Sequence, residues 1–202
     1  MIIGPKYKIA RRLGSGIFEK TQTAKYAVRA EKKSASLTGV RAKSTYGIQL
    51  LEKQKLRFTY GITAKQLKNY VRAVIDSKVK NPEEKLYITL EKRLDSVVLR
   101  SGLASTRQQA RQIVTHGHMR INDKKTTVPS IQVKKGDVIT VKESKRIKPL
   151  FSDFKEKSKD IQAPVWLLVD ANNFTVTING EPEYKIGNLP YNLGEVIQFY
   201  KR

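Results

Sequence analysis

The chain of 202 residues contains no cysteine, so neither disulfides nor thiolate metal sites can form. It has only two histidines, His116 and His118, and their spacing of two does not place them on one helical face. No apolar run approaches the length of roughly twenty residues that spans a bilayer, and the first residues are too few for a signal peptide. We therefore expect a soluble intracellular protein without membrane segment, metal or cofactor.

Acidic residues are also scarce. Lys and Arg number 40 against 18 Asp and Glu, a formal charge of +22. The excess is uneven, because residues 1–90 carry +14, residues 91–150 carry +9 and residues 151–202 carry −1. Such an imbalance favours a polyanionic partner, and its distribution predicts a binding surface in the first three quarters of the chain.

Residues 93–143 follow the order helix, turn, helix, short strands. Ser105 and Gln108 have the spacing of a capping box, and they predict the start of the second helix. Its apolar stripe contains Ala110, Ile113 and Val114, and its other face carries Arg107, Arg111 and Gln112. The pattern then alternates, which predicts strands around Met119–Ile121, Thr126–Val128 and Val138–Val141, with turns at Asn122–Lys125 and Lys134–Asp137.

Helices are predicted upstream as well. Ser44 is suited to cap a helix with Leu50 and Leu51 inward, Thr63 and Gln66 have capping-box spacing, and Pro82 occupies a favoured first helical position. Residues 1–43 have few periodic apolar residues, so no ordered core is expected there in isolation. Downstream, strands are expected at 165–169 and 174–178 with Trp166 in the core. Asn192 and Glu195 predict the cap of a last helix.

These features resemble known proteins. RLDSVV, STRQQARQIV and KKGDVI occur in the order found in the RNA-binding module shared by small-subunit ribosomal protein S-four, certain pseudouridine synthases and tyrosyl-tRNA synthetases. The segment GVRAKSTYGIQLLEKQKLRFTY, residues 39–60, resembles the ribosomal family specifically, as does GPKYKIARRLG near the N-terminus. The chain is thus similar to a zinc-free, bacterial or organellar S-four protein, since Tyr7 and Ala10 stand where some members begin a cysteine set.

The resemblance implies an α+β fold. A basic N-terminal extension, residues 1–43, precedes an all-α rRNA-binding domain of residues 44–90 to which a C-terminal helix in residues 186–202 returns. An α+β domain, residues 91–185, is inserted between them, with a helix-turn-helix, a small antiparallel sheet and the RNA-binding module at 93–150.

The resemblance also implies a structural constituent of the small ribosomal subunit that binds the 5′ domain of its rRNA early in assembly. It further implies contact with mRNA at the entry channel, contact with ribosomal protein S-five, and an influence on decoding accuracy. Arg41 and Lys43 are the mRNA-entry candidates. The residues expected to contact rRNA are Lys6, Lys8, Arg11, Arg12, Tyr46, Gln49, Lys53, Gln54, Lys55, Arg57, Lys65, Arg107, Gln108, Arg111, Gln112, His116 and Lys124.

Two alternatives remain open at this stage. Asp95 in RLDSVV superficially matches the nucleophile motif of pseudouridine synthases, but it is placed to open a module helix and too few residues follow for a synthase catalytic domain. A free RNA-binding assembly or modification factor carrying the same module is the second hypothesis. A DNA-binding helix-turn-helix is disfavoured, because the strands and basic turns complete an RNA module.

Overall fold

The computed structural model describes residues 3–24, 26–28, 44–147, 151, 154, 163–185, 187 and 189–201. The chain divides into two compact units. Unit 1 comprises Met1–Leu86 with Lys185–Arg202, and unit 2 comprises Tyr87–Tyr184. The first and last parts of the sequence thus belong to one unit, and the middle forms the other.

Unit 1 begins with helix α1, Lys6–Leu13, followed by two single 3₁₀ turns, Ser15–Ile17 and Glu19–Thr21. Ala10, Leu13, Ile17 and Phe18 of this segment form a small apolar cluster. Ile3, Ile9 and Tyr26 of the same segment pack against it, and so do Leu51 and Phe58 of helix Thr45–Tyr60, so the cluster does not form from the segment in isolation.

The central helices of unit 1 begin at the caps that the sequence predicts. Helix α2, Thr45–Tyr60, starts where the Gly47 amide donates to Ser44 Oγ at 3.2 Å, and it ends at Gly61, whose φ of 61° suits glycine. Helix α3, Ala64–Asp76, has a complete capping box between Thr63 and Gln66. Helix α4, Pro82–Glu91, begins at its proline, and the division between the units falls within it.

The C-terminal helix returns to unit 1, as predicted. Helix α8, Leu193–Lys201, is capped by Asn192, whose Oδ1 accepts from the Glu195 amide at 3.2 Å. Glu52 of α2 accepts a 2.7 Å hydrogen bond from the Asn192 amide, and the Tyr60 and Tyr191 hydroxyls lie 3.1 Å apart in the interior. Contacts between residues some 140 positions apart therefore hold α8 on α2.

Unit 2 contains helices α5, Leu94–Arg100, α6, Arg107–Thr115, and the short α7, Glu143–Arg146. The strands are β1, Met119–Ile121, β2, Lys124–Thr126, β3, Val138–Val141, β4, Leu167–Asp170, and β5, Thr175–Ile178. They form one antiparallel sheet in the order β2-β1-β3-β5-β4. The α+β fold class is confirmed, and Trp166 is buried in the core as expected.

The second strand differs from its predicted position. It runs from Lys124 to Thr126 rather than from Thr126 to Val128. The reason is the turn, since Asn122 and Asp123 both adopt positive φ, 48° and 62°, and a two-residue turn of this kind returns the chain at once. The register Arg120 to Lys125 consequently places two cations side by side on one face of the sheet.

Candidate nucleic-acid interface

Helix α6 places its polar face towards solvent because its other face enters the core of unit 2. Ala110, Ile113 and Val114 are buried, whereas Gln108 and Gln112 are exposed. The predicted cap is one residue off: Thr106 Oγ1 accepts from the Gln109 amide at 3.2 Å, and Gln109 Oε1 accepts from the Ser105 amide at 2.8 Å. Thr106 and Gln109 share the capping-box spacing of Ser105 and Gln108, so the sequence pattern alone did not separate the two registers.

Both arginines of α6 contact polar side chains of α5. Arg107 Nη1 donates to Ser96 Oγ at 2.7 Å. Arg111 Nη1 lies 3.6 Å from Asp95 Oδ2, an ion pair beyond hydrogen-bonding range, and the Arg111 side chain is 31% exposed. Both cations are thus directed rather than mobile, which lowers the entropy lost when they bind a phosphate.

Asp95 itself belongs to an interior ion pair. It is 1% exposed and accepts two hydrogen bonds from the fully buried Arg93, at 3.0 Å from Nε and 2.6 Å from Nη2. A carboxylate enclosed in this way is not open to a nucleotide. Asp95 therefore has the position of a structural anchor, not of a nucleophile.

Two turns of the sheet bring further lysines to the surface of unit 2. Asn122 Nδ2 donates to Asp137 Oδ1 at 2.9 Å, and Asn122 Oδ1 accepts from the Val138 amide at 2.9 Å. Asp137 Oδ2 accepts from the Lys134 amide at 2.7 Å. This network locks the two turns together, and the lysines that flank it are exposed: Lys124, Lys125, Lys134 and Lys135.

The end of α6 lies against this hairpin. Gly117 has a φ of 66°, a conformation that favours glycine, and the Lys125 side chain packs against it, since a Cβ there would lie 2.6 Å from Lys125 Cε. His116 is exposed at the C-cap of the helix, and its ring centroid lies 5.9 Å from that of the buried His118. Among the residues of the RNA-binding module that the sequence predicts to contact rRNA, Lys124 is the one that lies beside a turn of the sheet. Arg120, Lys125, Lys134 and Lys135 are further candidates that the sequence prediction did not include, although basic residues beside Asn, Asp and Gly turns were a usable signal.

Unit 1 carries its own basic surface, starting with α1. Lys8, Arg11 and Arg12 are exposed. The partly buried Lys6 has its ammonium 5.9 Å from the centroid of the Phe18 ring. The Tyr7 ring is stacked on Tyr26 at a centroid distance of 5.8 Å, which makes it part of the local packing.

Helix α2 is less uniformly exposed than its sequence predicts. Gln49, expected at the RNA-facing surface, is 5% exposed, and it lies at helical spacing between Tyr46 and Lys53, whose side chains both contact Phe199 of α8. Lys55 is paired with Glu52 at 2.6 Å. Leu50 and Leu51 are only partly buried, whereas Leu56 and Tyr60 are fully inside.

The remaining predicted residues of this helix differ in environment. Tyr46 is 51% exposed, and Gln54 and Arg57 are partly exposed. Lys53 extends over the Phe199 ring of α8, with its ammonium 4.2 Å from the centroid. Burial lowers the pKa of Lys53, and the neighbouring charges of Arg57 and Lys68 lower it further. Lys65 is exposed at the start of α3.

Some predictions fall outside this description. Arg41 and Lys43 lie outside the described residues.

Within the described ranges, no three His, Asp or Glu side chains are grouped so as to hold a metal ion. No helix in the same ranges is both long and apolar enough to cross a membrane.

Two family models cover most of the chain. The S4 domain matches residues 92–139, and the ribosomal protein S4/S9 N-terminal domain matches residues 1–91. Together with the α+β fold and the basic surfaces, these matches define an RNA-binding ribosomal protein. The first match covers α5, α6 and the hairpin, which are the elements that carry the anchored arginines and the lysine turns of unit 2.

Similar proteins show which family of ribosomal proteins the chain belongs to. The small ribosomal subunit protein uS4 of Aquifex aeolicus is 40% identical over 99% of this chain and 98% of its own length. The proteins of the same name from Syntrophomonas wolfei and a Sulfurihydrogenibium species are 43% and 38% identical, over 79% and 98% of the chain and 76% and 97% of their own lengths. The chain belongs to the uS4 family of small ribosomal subunit proteins. It is therefore a ribosomal component and not an enzyme.

Proposed function

We propose that the chain is a primary rRNA-binding protein that contacts the 5′ domain of small-subunit rRNA through the basic surfaces of both units. The observation that carries this proposal is the pair Arg107 and Arg111, partly exposed at the surface of unit 2, each with one guanidinium nitrogen against a polar side chain of α5. The lysines of the two locked turns add charge to the same unit. Fixed cations of this kind suit a folded RNA with a defined arrangement of phosphates rather than a base sequence.

We propose the finer roles from the resemblance to the family. Binding by two units to one RNA domain is suited to nucleating its assembly, and we assign this role to the chain. Contact with mRNA near the entry channel, contact with ribosomal protein S-five and a contribution to translational accuracy are part of the same proposal. The ribosome concerned is cytoplasmic in a bacterium or that of an organelle. In-vitro assembly of small subunits with and without this protein, read out by subunit yield and by misincorporation, tests these roles.

The direct test replaces both anchored arginines. Arg107→Ala with Arg111→Ala should weaken binding to a 5′-domain rRNA transcript at least about tenfold at physiological salt, because two phosphate contacts are lost. The measurement is a filter-binding or fluorescence titration of the full-length protein. A matched control, Lys80→Ala with Lys201→Ala, removes the same charge from exposed positions that belong to neither basic surface and should cost less than about threefold. Equal losses in the two variants would contradict the proposal.

Sedimentation in a salt gradient separates this proposal from that of a free RNA-binding or modification factor. An integral ribosomal protein stays with small subunits of a cell extract through a high-salt wash. Release at modest salt would favour the free factor. The buried ion pair of Asp95 gives no support to modification chemistry.

A further inference from the structure

Two buried serines at α5, Ser96 and Ser101, differ in one contact. Ser96 is 0% exposed and Ser101 is 1% exposed. Each hydroxyl donates to a backbone carbonyl, Ser96 Oγ to Leu90 at 2.8 Å and Ser101 Oγ to Val98 at 3.1 Å. Ser96 Oγ also accepts a hydrogen bond from Arg107 Nη1 of α6, at 2.7 Å. Among the described residues, Ser101 has no such bond to an arginine.

The groups around Ser96 determine the direction of both of its hydrogen bonds. A carbonyl only accepts and a guanidinium only donates, so the hydroxyl proton lies towards Leu90 and a lone pair of the oxygen faces Arg107. Leu90 lies in the last turn of α4, where carbonyls lack a partner within the helix. A hydroxyl that donates to a carbonyl becomes a better acceptor. Ser96 therefore connects the end of α4 to one guanidinium of α6 through two bonds that strengthen each other.

The second arginine of α6 is held differently. Arg111 Nη1 lies 3.6 Å from Asp95 Oδ2, and Asp95 already accepts two hydrogen bonds from Arg93. At this distance the charges attract each other without the directional preference of a hydrogen bond. Of the two arginines, Arg107 is thus the one that a side chain of α5 holds by a hydrogen bond within the described part of the chain.

We propose that Ser96 is a positioning residue that gives unit 2 a preference for folded rRNA over an unstructured polyanion. This inference rests on the proposed function. An unstructured chain adapts its phosphates to an arginine in any orientation, whereas a folded RNA presents its phosphates at fixed positions. An arginine that is held in advance loses less side-chain entropy when it meets a fixed phosphate. Ser96 acts through Arg107, since a fully buried hydroxyl does not reach the RNA.

The experiment compares the two serines. Full-length Ser96→Ala and Ser101→Ala each lose one buried hydroxyl, but only the first removes an acceptor of Arg107. Binding to the 5′-domain transcript and to poly(U) is measured by fluorescence titration over a range of potassium chloride concentrations. Ser96→Ala should weaken binding to the transcript about threefold to tenfold, the cost of ordering one released side chain. Its affinity for poly(U) and both salt slopes should equal those of the wild type, because no charge is lost. Ser101→Ala should change neither affinity.

A double-mutant cycle tests whether Ser96 acts through Arg107. Arg107→Gln has no guanidinium for Ser96 to hold, so adding Ser96→Ala to it should change transcript affinity less than about 1.5-fold. Additive losses would contradict the positioning role. Urea unfolding confirms that the serine variants are folded under the binding conditions.

A variant that leaves the interior intact gives an independent test. Arg107→Lys keeps the charge at a partly exposed position but loses the planar guanidinium. It should also weaken transcript binding about threefold to tenfold while leaving poly(U) binding unchanged.

The outcomes separate the two proposals. Equal transcript affinities of Ser96→Ala and Ser101→Ala, an equal loss of poly(U) binding in Ser96→Ala, or wild-type transcript binding by Arg107→Lys would each overturn the positioning role alone. Lack of transcript binding by the wild-type protein would overturn the proposed function and the positioning role with it.

Discussion

In unit 2 Arg111 of α6 lies near a buried acid and Arg107 bonds a buried serine hydroxyl, whereas in unit 1 Lys53 of α2 lies over aromatic rings with Arg57 and Lys68 as its charged neighbours. Asp95 compensates Arg93 and lies 3.6 Å from Arg111, so the charge of these two cations is partly compensated before any RNA binds. Around Lys53 the charged groups that shift its pKa are cations, and they leave the repulsion unrelieved in the free protein. The comparison teaches that the cations of unit 2 lie against an acid and a hydroxyl of the interior, whereas the charged groups that act on Lys53 both repel it.

The largest expected effect comes from removing the buried acid. Asp95→Asn keeps the shape but leaves the fully buried Arg93 without its counter-charge. Loss of one partner of a buried pair costs about 3–5 kcal/mol, and we expect the free energy of unfolding to fall by that amount. Urea denaturation followed by circular dichroism measures it. Asp123→Asn, at an exposed turn position that also tolerates asparagine, should change the same quantity by less than about 0.5 kcal/mol. Similar values for the two variants would remove the basis of the comparison.

A smaller effect on stability is expected from removing the side-chain hydrogen bonds that join the two turns of unit 2. Asn122→Ala loses the side-chain hydrogen bonds to Asp137 and to the Val138 amide, and it puts alanine at a φ of 48°. Destabilisation of about 2 kcal/mol is expected, together with weaker rRNA binding, since the flanking lysines are no longer held in place. Asn179→Ala, which replaces another exposed asparagine of the same unit, provides the control. Unchanged rRNA affinity in Asn122→Ala would mean that preorganisation of the turns does not contribute to binding.

The smallest expected effect is a gain in stability. Lys53→Gln should raise the stability of the free protein by about 0.3 kcal/mol at neutral pH, because a repulsive like-charge pair is removed. Thermal and urea unfolding of this variant are compared with those of Lys55→Gln, which breaks the favourable pair with Glu52 and should be neutral or slightly destabilised. A clear loss of stability in Lys53→Gln would show that ring contacts outweigh the repulsion.

The same variant has a defined pH dependence. The pKa of Lys53 in the folded state lies below 10.5, chiefly through burial, so the unfolded chain binds more protons in the window between the two values. The free energy of unfolding of the wild-type protein should therefore rise relative to that of Lys53→Gln as the pH increases through this window. The difference in stability between the two proteins should become smaller. A stability difference between the two proteins that is constant up to pH 10.5 would contradict the lowered pKa of Lys53.

Much of the fold could be predicted because its signals are local. Ser44, Thr63, Pro82 and Asn192 each mark a helix start through hydrogen bonds or geometry within a few residues, and all four helices begin there. Where two local patterns compete, prediction was less exact. Ser105 and Thr106 offer the same chemistry one residue apart, and the structure uses Thr106.

Burial was harder to predict, as the N-terminal segment illustrates. Ala10, Leu13 and Ile17 are too few to predict a core by themselves, and the cluster that they form with Phe18 includes Leu51 and Phe58 from a distant part of the sequence. The composition of α2 predicts a basic surface but does not identify which of its turns α8 covers. Gln49 was consequently assigned to the RNA-facing side although it is inside.

The sequence by itself determined the net charge, the helix starts, the alternation of the strands and the motifs that place the chain in its family. These depend on residue type and on spacings of a few positions. Only the tertiary structure decided that Arg93 and Asp95 pair in the interior and that Lys53 lies over Phe199, near residues almost 150 positions away. The physical reason is that burial and electrostatic environment depend on all the groups packed around a side chain, and most of those groups are distant in sequence.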